Sequence, residues 1–300
     1  MPGDTVWVVA NPGAGNGRGA RYASLVTKAL HDAGIRCLLV SPSSVQGTTQ
    51  AVAEAVAAGA RAVVTCGGDG TVHAALPALV GSDVPLGIMA AGSGDDIALA
   101  LGMPVHDAHE AVAAVVAGIS AGTSRRVDVG HAAVADGHSE YFLGVLSTGF
   151  DSAVNERANT MKRLGGQRYL AAIVKELTSF RAVPYDIDLD GRAVSGSAML
   201  VAVGNGSSYG GGMLVCPGAV IDDGVLDVTW LKAVSTPTFL RALPSVYSGA
   251  HVKKPYVSTY RAARIRISAP GQIAYADGER IGPLPVMIGL RPGALRVLTC

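Results

Sequence analysis

Three glycine-rich segments dominate the first 125 residues, and each lies between a strand-like apolar run and a helix-like segment. The apolar runs are Val6–Ala10, Ala62–Cys66 and Leu86–Met89. Strands that alternate with helices predict a parallel sheet with helices on both faces, and its carboxyl edge is the usual place for a ligand. The other predicted elements here are a strand at Cys37–Val40 and helices at Arg18–Ala33, at Thr48–Ala58, at Val72–Leu79, from Asp96, and at Ala108–Val116.

The pattern changes near Arg125. Short strand-like runs such as Tyr141–Leu146 follow, separated by Gly, Pro and Asp, which predicts a β-rich, sandwich-like domain. Two helix-like segments, Lys162–Ser179 and Thr236–Ser248, interrupt them, and Leu295–Leu298 predicts a strand that returns to the first domain. We therefore expect an α/β N-terminal domain with a parallel sheet at 1–125, its C-terminal return at 286–300, and a β-rich domain at 126–285.

Composition limits the classes of protein. With 49% hydrophobic and 16% charged residues among 300, the chain has enough apolar residues for two folded domains. A net charge of +1 provides no overall basic field, so we expect no nucleic-acid partner. The four cysteines form no CxxC pair, which argues against a zinc site and fits a reducing cytoplasm. We see neither a signal-peptide pattern nor an apolar run of the ~18–20 residues that span a membrane.

The first glycine-rich segment, Asn11–Gly19, is open to three interpretations. A Walker A loop requires Lys followed by Ser or Thr after the glycines, and this segment has neither. A Rossmann fingerprint is matched weakly by Gly15, Gly17 and Ala20, but the second strand does not end in an acidic residue that would bind a ribose. A tight turn needs fewer than the four alternating glycines found here. The segment favours phosphate binding at a helix N-terminus.

The second and third segments carry carboxylates. The second is Cys66-Gly67-Gly68-Asp69-Gly70-Thr71, where Asp69 is a candidate to orient Mg²⁺ and the Thr71 hydroxyl to bind phosphate. The alternative is an Asp-Gly turn in which Thr71 caps the helix. The third segment, Ala91–Ala98, repeats the arrangement, and its Asp96 can equally be an acidic residue favoured near a helix N-terminus.

Taken together, the segments resemble the nucleotide-binding motifs of the diacylglycerol kinase catalytic domain. The resemblance rests on Asn11-Pro12-x-x-Gly15, on Gly67 to Thr71 and on Gly92-Ser93-Gly94-Asp95-Asp96, and it continues through Asp222-Asp223-Gly224 and Asp277-Gly278-Glu279. It thus covers nearly the whole chain. The Gly-Gly-Asp-Gly-Thr core is shared with NAD kinases and phosphofructokinases, whereas the later motifs favour the lipid kinases. Asp95 stands where the family usually has Asn, and a carboxylate there would repel phosphate unless neutralised.

The resemblance implies roles for the matching residues. Asp69 and Asp96 join a carboxylate network for the catalytic metal, with Asp128 as a third candidate. Glu279 matches the general base for the lipid hydroxyl, although Asp277-Gly278 by itself predicts only a hairpin turn. A structural Mg²⁺ is implied at Asp223 and the carbonyls of Val220 and Val225. The implied ATP site comprises Asn11, Pro12, Gly13, Ala14, Gly15, Ser41, Gly67, Gly68, Asp69, Gly70, Thr71 and Ser93.

The implied activity is ATP- and Mg²⁺-dependent phosphorylation of a lipid hydroxyl, foremost that of diacylglycerol to give phosphatidic acid. The alternatives are an NAD kinase, a nucleotide-binding regulator without catalysis and, third, a Rossmann oxidoreductase. We expect a cytoplasmic protein that visits the inner face of the membrane, and the resemblance suggests a homodimer. Basic residues in 162–181 indicate a solvated helix side or, alternatively, membrane contact. Gly206-x-Ser208-x-Gly210 fits a hydrolase nucleophile elbow, but turn-like residues follow it, so we expect a loop.

Overall fold

The computed structural model describes residues 4–105, 107–160 and 180–299, with the side chains of 158–160 left out. The described chain divides into two compact units. The first comprises the residues up to Val129, Ile221–Asp223 and the residues from Arg291 on, and the second comprises Gly130–Val220 and Gly224–Leu290. The predicted fold class, an α/β part followed by a β-rich part, is confirmed. The helix predicted at Lys162–Ser179 lies outside the described residues.

The first unit is built on parallel strands in the order β4 (Leu86–Ala90), β3 (Ala62–Gly67), β1 (Val6–Ala10) and β2 (Cys37–Val40). Every residue of β3 and β4 is buried, as expected for central strands covered on both faces. Its elements are β1 (Val6–Ala10), α1 (Arg18–Asp32), β2 (Cys37–Val40), α2 (Val45–Ala57), β3 (Ala62–Gly67), α3 (Asp69–Leu79), β4 (Leu86–Ala90), α4 (Asp96–Ala100), α5 (Ala108–Ala121) and the first part of β5 (Ser124–Val134).

Capping residues decide where the helices of this unit begin and end. The hydroxyl of Ser44 accepts a hydrogen bond from the N–H of Gly47 at 3.0 Å, so α2 begins three residues before the predicted Thr48. Asp107 caps α5 by accepting from the N–H of His109 at 2.7 Å. The same helix continues past the predicted Val116 until Gly122, whose positive φ of 66° ends it.

Antiparallel pairing builds the second unit around a core that contains Tyr185, Trp230 and Phe142. The last strand has residues in both units: Val286 to Gly289 pair antiparallel with Arg264 to Ile267, and Val297 pairs in parallel with Leu86. The elements are β6 (Ser139–Phe142), β7 (Val145–Gly149), α6 (Phe150–Thr160), β8 (Val183–Leu189), β9 (Arg192–Gly204), β10 (Leu226–Lys232), α7 (Thr236–Val246), β11 (Val257–Ala262), β12 (Arg264–Ser268), β13 (Ile273–Ala276), β14 (Glu279–Pro283) and β15 (Val286–Leu298).

Two local expectations can be compared with these strands. A single strand over Tyr141–Leu146 is wrong, because the chain breaks at Leu143 and Gly144. Their N–H groups donate to the carboxylate of Asp277, at 2.9 Å each, and so leave the strand ladder. The loop expected around Ser208 is confirmed: Ser208 follows β9 and precedes an isolated bridge between Tyr209 and Met213, and no helix follows it within the described residues 208–232.

Candidate active site

The three glycine-rich segments lie at one edge of the first unit's sheet. They follow β1, β3 and β4, which are parallel neighbours and therefore end at the same edge. The backbone ladder continues into the loops, since Asn11 N–H donates to Cys66 O at 2.9 Å and Ala91 N–H donates to Gly67 O at 2.8 Å. We call the segments after β1, β3 and β4 the first, second and third loops.

Glycine is required where the second and third loops touch. A Cβ atom on Gly68 would lie 2.9 Å from the Cα of Gly92, and one on Gly92 would lie 2.7 Å from the Cα of Gly68. The first loop is equally close, because a Cβ on Gly15 would lie 2.0 Å from Ala91 O, and Gly15 has a φ of 55°. These glycines let the backbones of the three loops approach one another. This packing requirement is separate from any close approach of a phosphate to the loops.

Asp69 connects the second loop to the third. Its carboxylate accepts hydrogen bonds from two consecutive backbone groups at the start of α4, from Asp96 N–H at 3.2 Å and from Ile97 N–H at 3.1 Å. The residue before this helix, Asp95, forms no side-chain cap of its own. Asp69 therefore satisfies the free N–H groups of a helix that is distant in sequence, and its negative charge suits the positive end of the helix.

Asp95, the residue that departs from the family pattern, shapes the third loop. It adopts a left-handed conformation with φ of 56°, and its Oδ1 accepts from Gly92 N–H at 2.7 Å. Asn tolerates the same conformation and accepts the same bond. Burial raises the pKa of Asp95, the Gly92 hydrogen bond and the Arg18 charge oppose this, and Asp96 reinforces it.

Arg18 joins the first loop to the third, a role that the sequence analysis missed. Its guanidinium donates to two carbonyl oxygens, Nε to Gly15 at 3.3 Å and Nη2 to Gly92. Arg18 is the first residue of α1, where a cation is disfavoured by the helix dipole. That misplaced charge is a sequence signal that could have identified the residue.

The remaining residues of the predicted ATP site differ in exposure. Thr71 is buried in the first turn of α3, and a Cβ on Gly67 would lie 2.1 Å from its hydroxyl. The proposed alternative, Thr71 as helix cap, is wrong because Gly68 holds that position. Asn11, Ser41 and Ser93 are exposed. The Oδ1 atom of Asn11 accepts from Gly13 N–H at 3.2 Å, which fixes the turn of the first loop.

Asp128 and the turn at 221–224 belong together. Asp128 is buried, its Oδ1 accepts from Gly293 N–H at 2.7 Å and its own N–H donates to Ile221 O at 2.8 Å. Asp222 of the same turn forms an ion pair with Arg125 at 2.9 Å. Asp128 thus ties three distant segments of the first unit. Asp223 belongs to that unit, Val220 and Val225 to the second, and the magnesium site stays a prediction.

Glu279 lies in the second unit, directly after a two-residue hairpin turn. Asp277 and Gly278 have φ of 51° and 87°, and Glu279 begins β14 opposite Ala276. The turn residue Asp277 is occupied by the two backbone bonds from Leu143 and Gly144. The side chain of Glu279 is exposed. The geometry therefore contains the predicted hairpin and leaves the role of Glu279 as a prediction.

A carboxylate on α6 holds the two hairpin strands. The Oε1 atom of Glu156 accepts from the hydroxyl of Tyr275 at 2.6 Å and from Nε of Arg280 at 2.8 Å. Burial opposes the ionisation of Glu156, but these two donors together hold its pKa below the ordinary value. Glu156 also lines a cavity of about 390 Å³ with Arg157 and Gln272. Glu156 of α6 thus holds Arg280, the residue that follows the candidate base Glu279.

Asp151 is a buried carboxyl that the sequence analysis did not single out. It lies in the first turn of α6, after Gly149 with its φ of 108°, and both of its carboxyl oxygens are buried without a hydrogen-bond partner in the described part of the chain. Burial raises the pKa of Asp151, and the hydroxyls of Ser147 and Tyr209 act in the opposite direction. A Gly-Phe-Asp sequence at a strand–helix junction was the available signal.

Known proteins resemble the whole chain. Residues 5–132 match the family described as "Diacylglycerol kinase catalytic domain", and residues 144–299 match "YegS C-terminal NAD kinase beta sandwich-like domain". A diacylglycerol kinase of Mycobacterium tuberculosis is 38% identical over 98% of this chain and 94% of its own length. A Yersinia enterocolitica protein described as "Probable lipid kinase YegS-like" is 32% identical over 82% of this chain and 81% of its own.

Solved structures agree on the fold. A Bacillus anthracis diacylglycerol kinase superposes with a TM-score of 0.74 at 21% identity, covering 99% of this chain and 97% of the other. An NAD kinase from Archaeoglobus fulgidus, solved with ATP, gives a TM-score of 0.58 at 13% identity, covering 98% and 93%. At these identities the structures show a shared fold, and the sequence relatives decide the family. The chain belongs to the diacylglycerol kinase family and is a lipid kinase.

Proposed function

We propose that the protein transfers the γ-phosphate of ATP to the hydroxyl of diacylglycerol and thereby forms phosphatidic acid. The observation that carries the proposal is the junction of the three loops, where Asp69 of the second loop binds the first two N–H groups of α4. This arrangement fixes exposed glycine-rich backbone, including Asn11, Pro12 and Gly13, at the ligand-binding edge of a parallel sheet.

The residues of this edge suit Mg²⁺ together with ATP. Asp69 and Asp96 present carboxylate oxygens, which are the ligands that Mg²⁺ prefers. When bound, Mg²⁺ neutralises charge on the transferring phosphates. We assign Gly67, Gly68 and Gly70, with Ser41, Ser93 and Thr71, to the ATP site, and a structural Mg²⁺ to Asp223 with the carbonyls of Val220 and Val225. These carbonyls and this carboxylate are likewise hard oxygen donors.

The acceptor reaction is assigned to Glu279. The lipid hydroxyl oxygen forms a bond with the γ-phosphorus, and its proton passes to the Glu279 carboxylate. The bond between the γ-phosphorus and the β–γ bridging oxygen breaks, which leaves ADP. The carboxylate of Glu279 is exposed and follows directly after the hairpin turn, as expected for a base that must contact a substrate.

A lipid substrate also implies a location. Within the described residues, the helices are too short or too polar to cross a bilayer. We propose that the protein acts from the cytoplasm at the inner face of the membrane, as a homodimer. The homodimer rests on family resemblance alone.

One assay tests the reaction and its alternatives. The protein is incubated with labelled ATP and Mg²⁺ in the presence of diacylglycerol, monoacylglycerol, ceramide, a sphingoid base, a polyprenyl alcohol or NAD. We expect label in phosphatidic acid. Label in NADP would favour an NAD kinase, in line with the structural likeness to that enzyme. Label in another lipid would identify that lipid as the acceptor in place of diacylglycerol. ATP binding without any turnover would indicate a nucleotide-binding regulator.

A further inference from the structure

Helix α7 is apolar on two sides. Its inner side carries Phe239 and Ala242, which are buried, and Phe239 packs against Phe150 at a ring distance of 4.8 Å. This contact is part of a small core that also includes Met199 and Val257. The inner side therefore accounts for the helix being folded onto the second unit.

The outer side of α7 is apolar as well. Pro237, Leu240, Pro244 and Tyr247 follow one another at spacings of three and four residues, and all four are exposed. Leu240 is 44% exposed and Tyr247 is 58% exposed. Residues at these spacings share one face of a helix, so they form a continuous apolar stripe. An outer helix face in a soluble domain is ordinarily polar.

Four cations lie on α7 or on chain segments close to it. Arg241 follows Leu240, and Lys253 and Lys254 come from a 3₁₀ turn that packs against α7. Lys232 lies beside them, with Nζ 3.5 Å from Pro255 O. All four cations are exposed, and no described acidic side chain lies within ion-pair distance of any of them.

The charge pattern of the chain singles out the same region. From Val228 to Ala276 there are seven Lys and Arg residues and no Asp or Glu, in a chain whose net charge is +1. Three of the seven lie on β11 and β12: Arg261 is 3.4 Å from Asp227, Arg264 is 3.8 Å from Asp190, and Arg266 lies opposite Asp188 in the antiparallel ladder. The unbalanced positive charge is thus the charge around α7.

We propose that the outer face of α7, with Leu240, Tyr247, Lys253 and Lys254, docks on a bilayer that contains anionic lipids. Leucine enters the acyl boundary, tyrosine lies at the headgroup level, and the lysines meet anionic headgroups. The proposal rests on the proposed function, because a lipid acceptor brings the enzyme to a membrane. A protein partner would also explain the apolar stripe. The unbalanced cations favour an anionic bilayer, because its surface charge is complementary to theirs.

The test measures sedimentation with phosphatidylcholine vesicles, with and without phosphatidylglycerol, in the absence of ATP and diacylglycerol. We expect binding to the anionic vesicles only. Lys253→Ser with Lys254→Ser should weaken binding about 25-fold, which is roughly fivefold for each lysine. Leu240→Ser with Tyr247→Ser should weaken it at least tenfold through lost apolar burial. Arg264→Ser with Arg266→Ser is the matched control and should bind as the wild type does.

Two outcomes overturn the docking surface. One is vesicle binding by either α7 variant equal to that of the control. The other is an unchanged vesicle affinity combined with loss of self-association in ultracentrifugation, which would make the face an interface between copies. Phosphorylation of a short-chain, water-soluble diacylglycerol separates the two proposals. If the wild type does not phosphorylate this soluble substrate, the proposed function is refuted and the vesicle-binding result still stands. The α7 variants should phosphorylate it as the wild type does.

Discussion

The carboxylate of Asp69 accepts a hydrogen bond from the backbone N–H of Asp96, at 3.2 Å, and so joins two of the residues proposed to serve metal and ATP. The second oxygen of Asp69 accepts from Ile97 N–H at 3.1 Å. A carboxylate has about four lone-pair sites, so these bonds are compatible with a further role toward a metal-bound water. Asp69 is therefore expected to act on both loop structure and catalysis.

Replacement of Asp69 by Ala separates these effects. Removal of a helix cap costs about 1–2 kcal/mol, and Asp69→Ala should lower the free energy of unfolding by that amount. Turnover should fall at least about a hundredfold, because phosphoryl transfer depends on positioning and charge neutralisation. Denaturant unfolding and steady-state assays measure the two effects.

The matched control is Asp107→Ala, since Asp107 caps α5 with two backbone bonds in the same manner. Asp107→Ala should lower the melting temperature and leave kcat unchanged. Equal kinetic losses in both variants would show that stability alone governs activity, and a fully active Asp69→Ala would exclude Asp69 from the nucleotide site.

Asp95→Asn should be tolerated. Both residues adopt the left-handed conformation and accept the bond from Gly92 N–H, so the third loop keeps its shape. We expect kcat within about threefold of the wild type and an equal or lower KM for ATP, because a charge next to the proposed phosphate site is removed. Asp95→Ala is the contrasting variant, since it loses the bond and pays about 1–2 kcal/mol for its conformation.

The same substitution tests a pH dependence. Burial raises the pKa of Asp95 in the folded protein above its ordinary value of 3.8. The stability from this group is therefore present below that value and is lost as pH rises through the raised folded pKa. Urea unfolding from pH 3.5 upward should show this loss in the wild type and not in Asp95→Asn, as a difference between the two pH profiles of the free energy of unfolding. Parallel pH curves for the two proteins would refute it.

The fold and the position of the three glycine-rich loops at one edge of the sheet could be predicted from the sequence, whereas the contacts between the loops could not. Alternating strands and helices imply that Asn11, Gly68 and Gly92 lie at one edge, since parallel strands end together. Periodicity does not specify which loops touch. The contact between Gly68 and Gly92, and the bond from Asp96 to Asp69, depend on the register of β3 against β4. The roles assigned to individual residues therefore stay predictions.

The break at Leu143 shows a second limit of the sequence. Its apolar pattern fits a strand, and a strand over Tyr141–Leu146 was the natural prediction. The acceptor that ends the strand is Asp277, which lies 134 residues away. A local pattern contains no information about such a partner, and Asp-Gly turns are common enough that the sequence indicates only a hairpin.

Gly68→Ala should disrupt the contact between the second and third loops. Its Cβ would lie 2.9 Å from the Cα of Gly92, and a backbone atom cannot move aside as a side chain can. Overpacking of this kind costs about 1–3 kcal/mol, which thermal unfolding would detect, and kcat should fall with it. Gly13→Ala is the control for stability, because its Cβ would meet only Asn11 Oδ1 at an ordinary 3.7 Å. An unchanged melting temperature for Gly68→Ala would contradict the proposed contact.

Asp223→Ala should lower stability and activity together if Asp223 holds a structural Mg²⁺. Chelation of the wild type by EDTA should lower the melting temperature, and Mg²⁺ should restore it. The adjacent Asp222→Ala is the matched control, since it loses only a half-exposed ion pair with Arg125, worth about 0–1 kcal/mol. If EDTA does not change the melting temperature of the wild type, no structural Mg²⁺ contributes to the stability of the fold.

Glu279→Gln tests the proposed general base. The change keeps the size of the side chain and removes the proton acceptor, and general-base catalysis contributes about 10²–10⁴-fold. We expect kcat to fall at least about a hundredfold, or roughly 3 kcal/mol in activation free energy, while ATP affinity stays unchanged. Steady-state kinetics with diacylglycerol and equilibrium binding of ATP measure the two quantities.

A second hairpin of the same unit provides the control for Glu279→Gln. Asp190 and Gly191 have φ of 51° and 91°, and Asp190 accepts two consecutive backbone N–H groups, as Asp277 does. Arg192 follows that turn as Glu279 follows the other, so Arg192→Gln measures the cost of changing the residue after such a turn. We expect nearly wild-type kcat for Arg192→Gln. Similar small losses in both variants, less than about threefold, would assign Glu279 to the hairpin alone, because loss of a general base is expected to cost at least about a hundredfold.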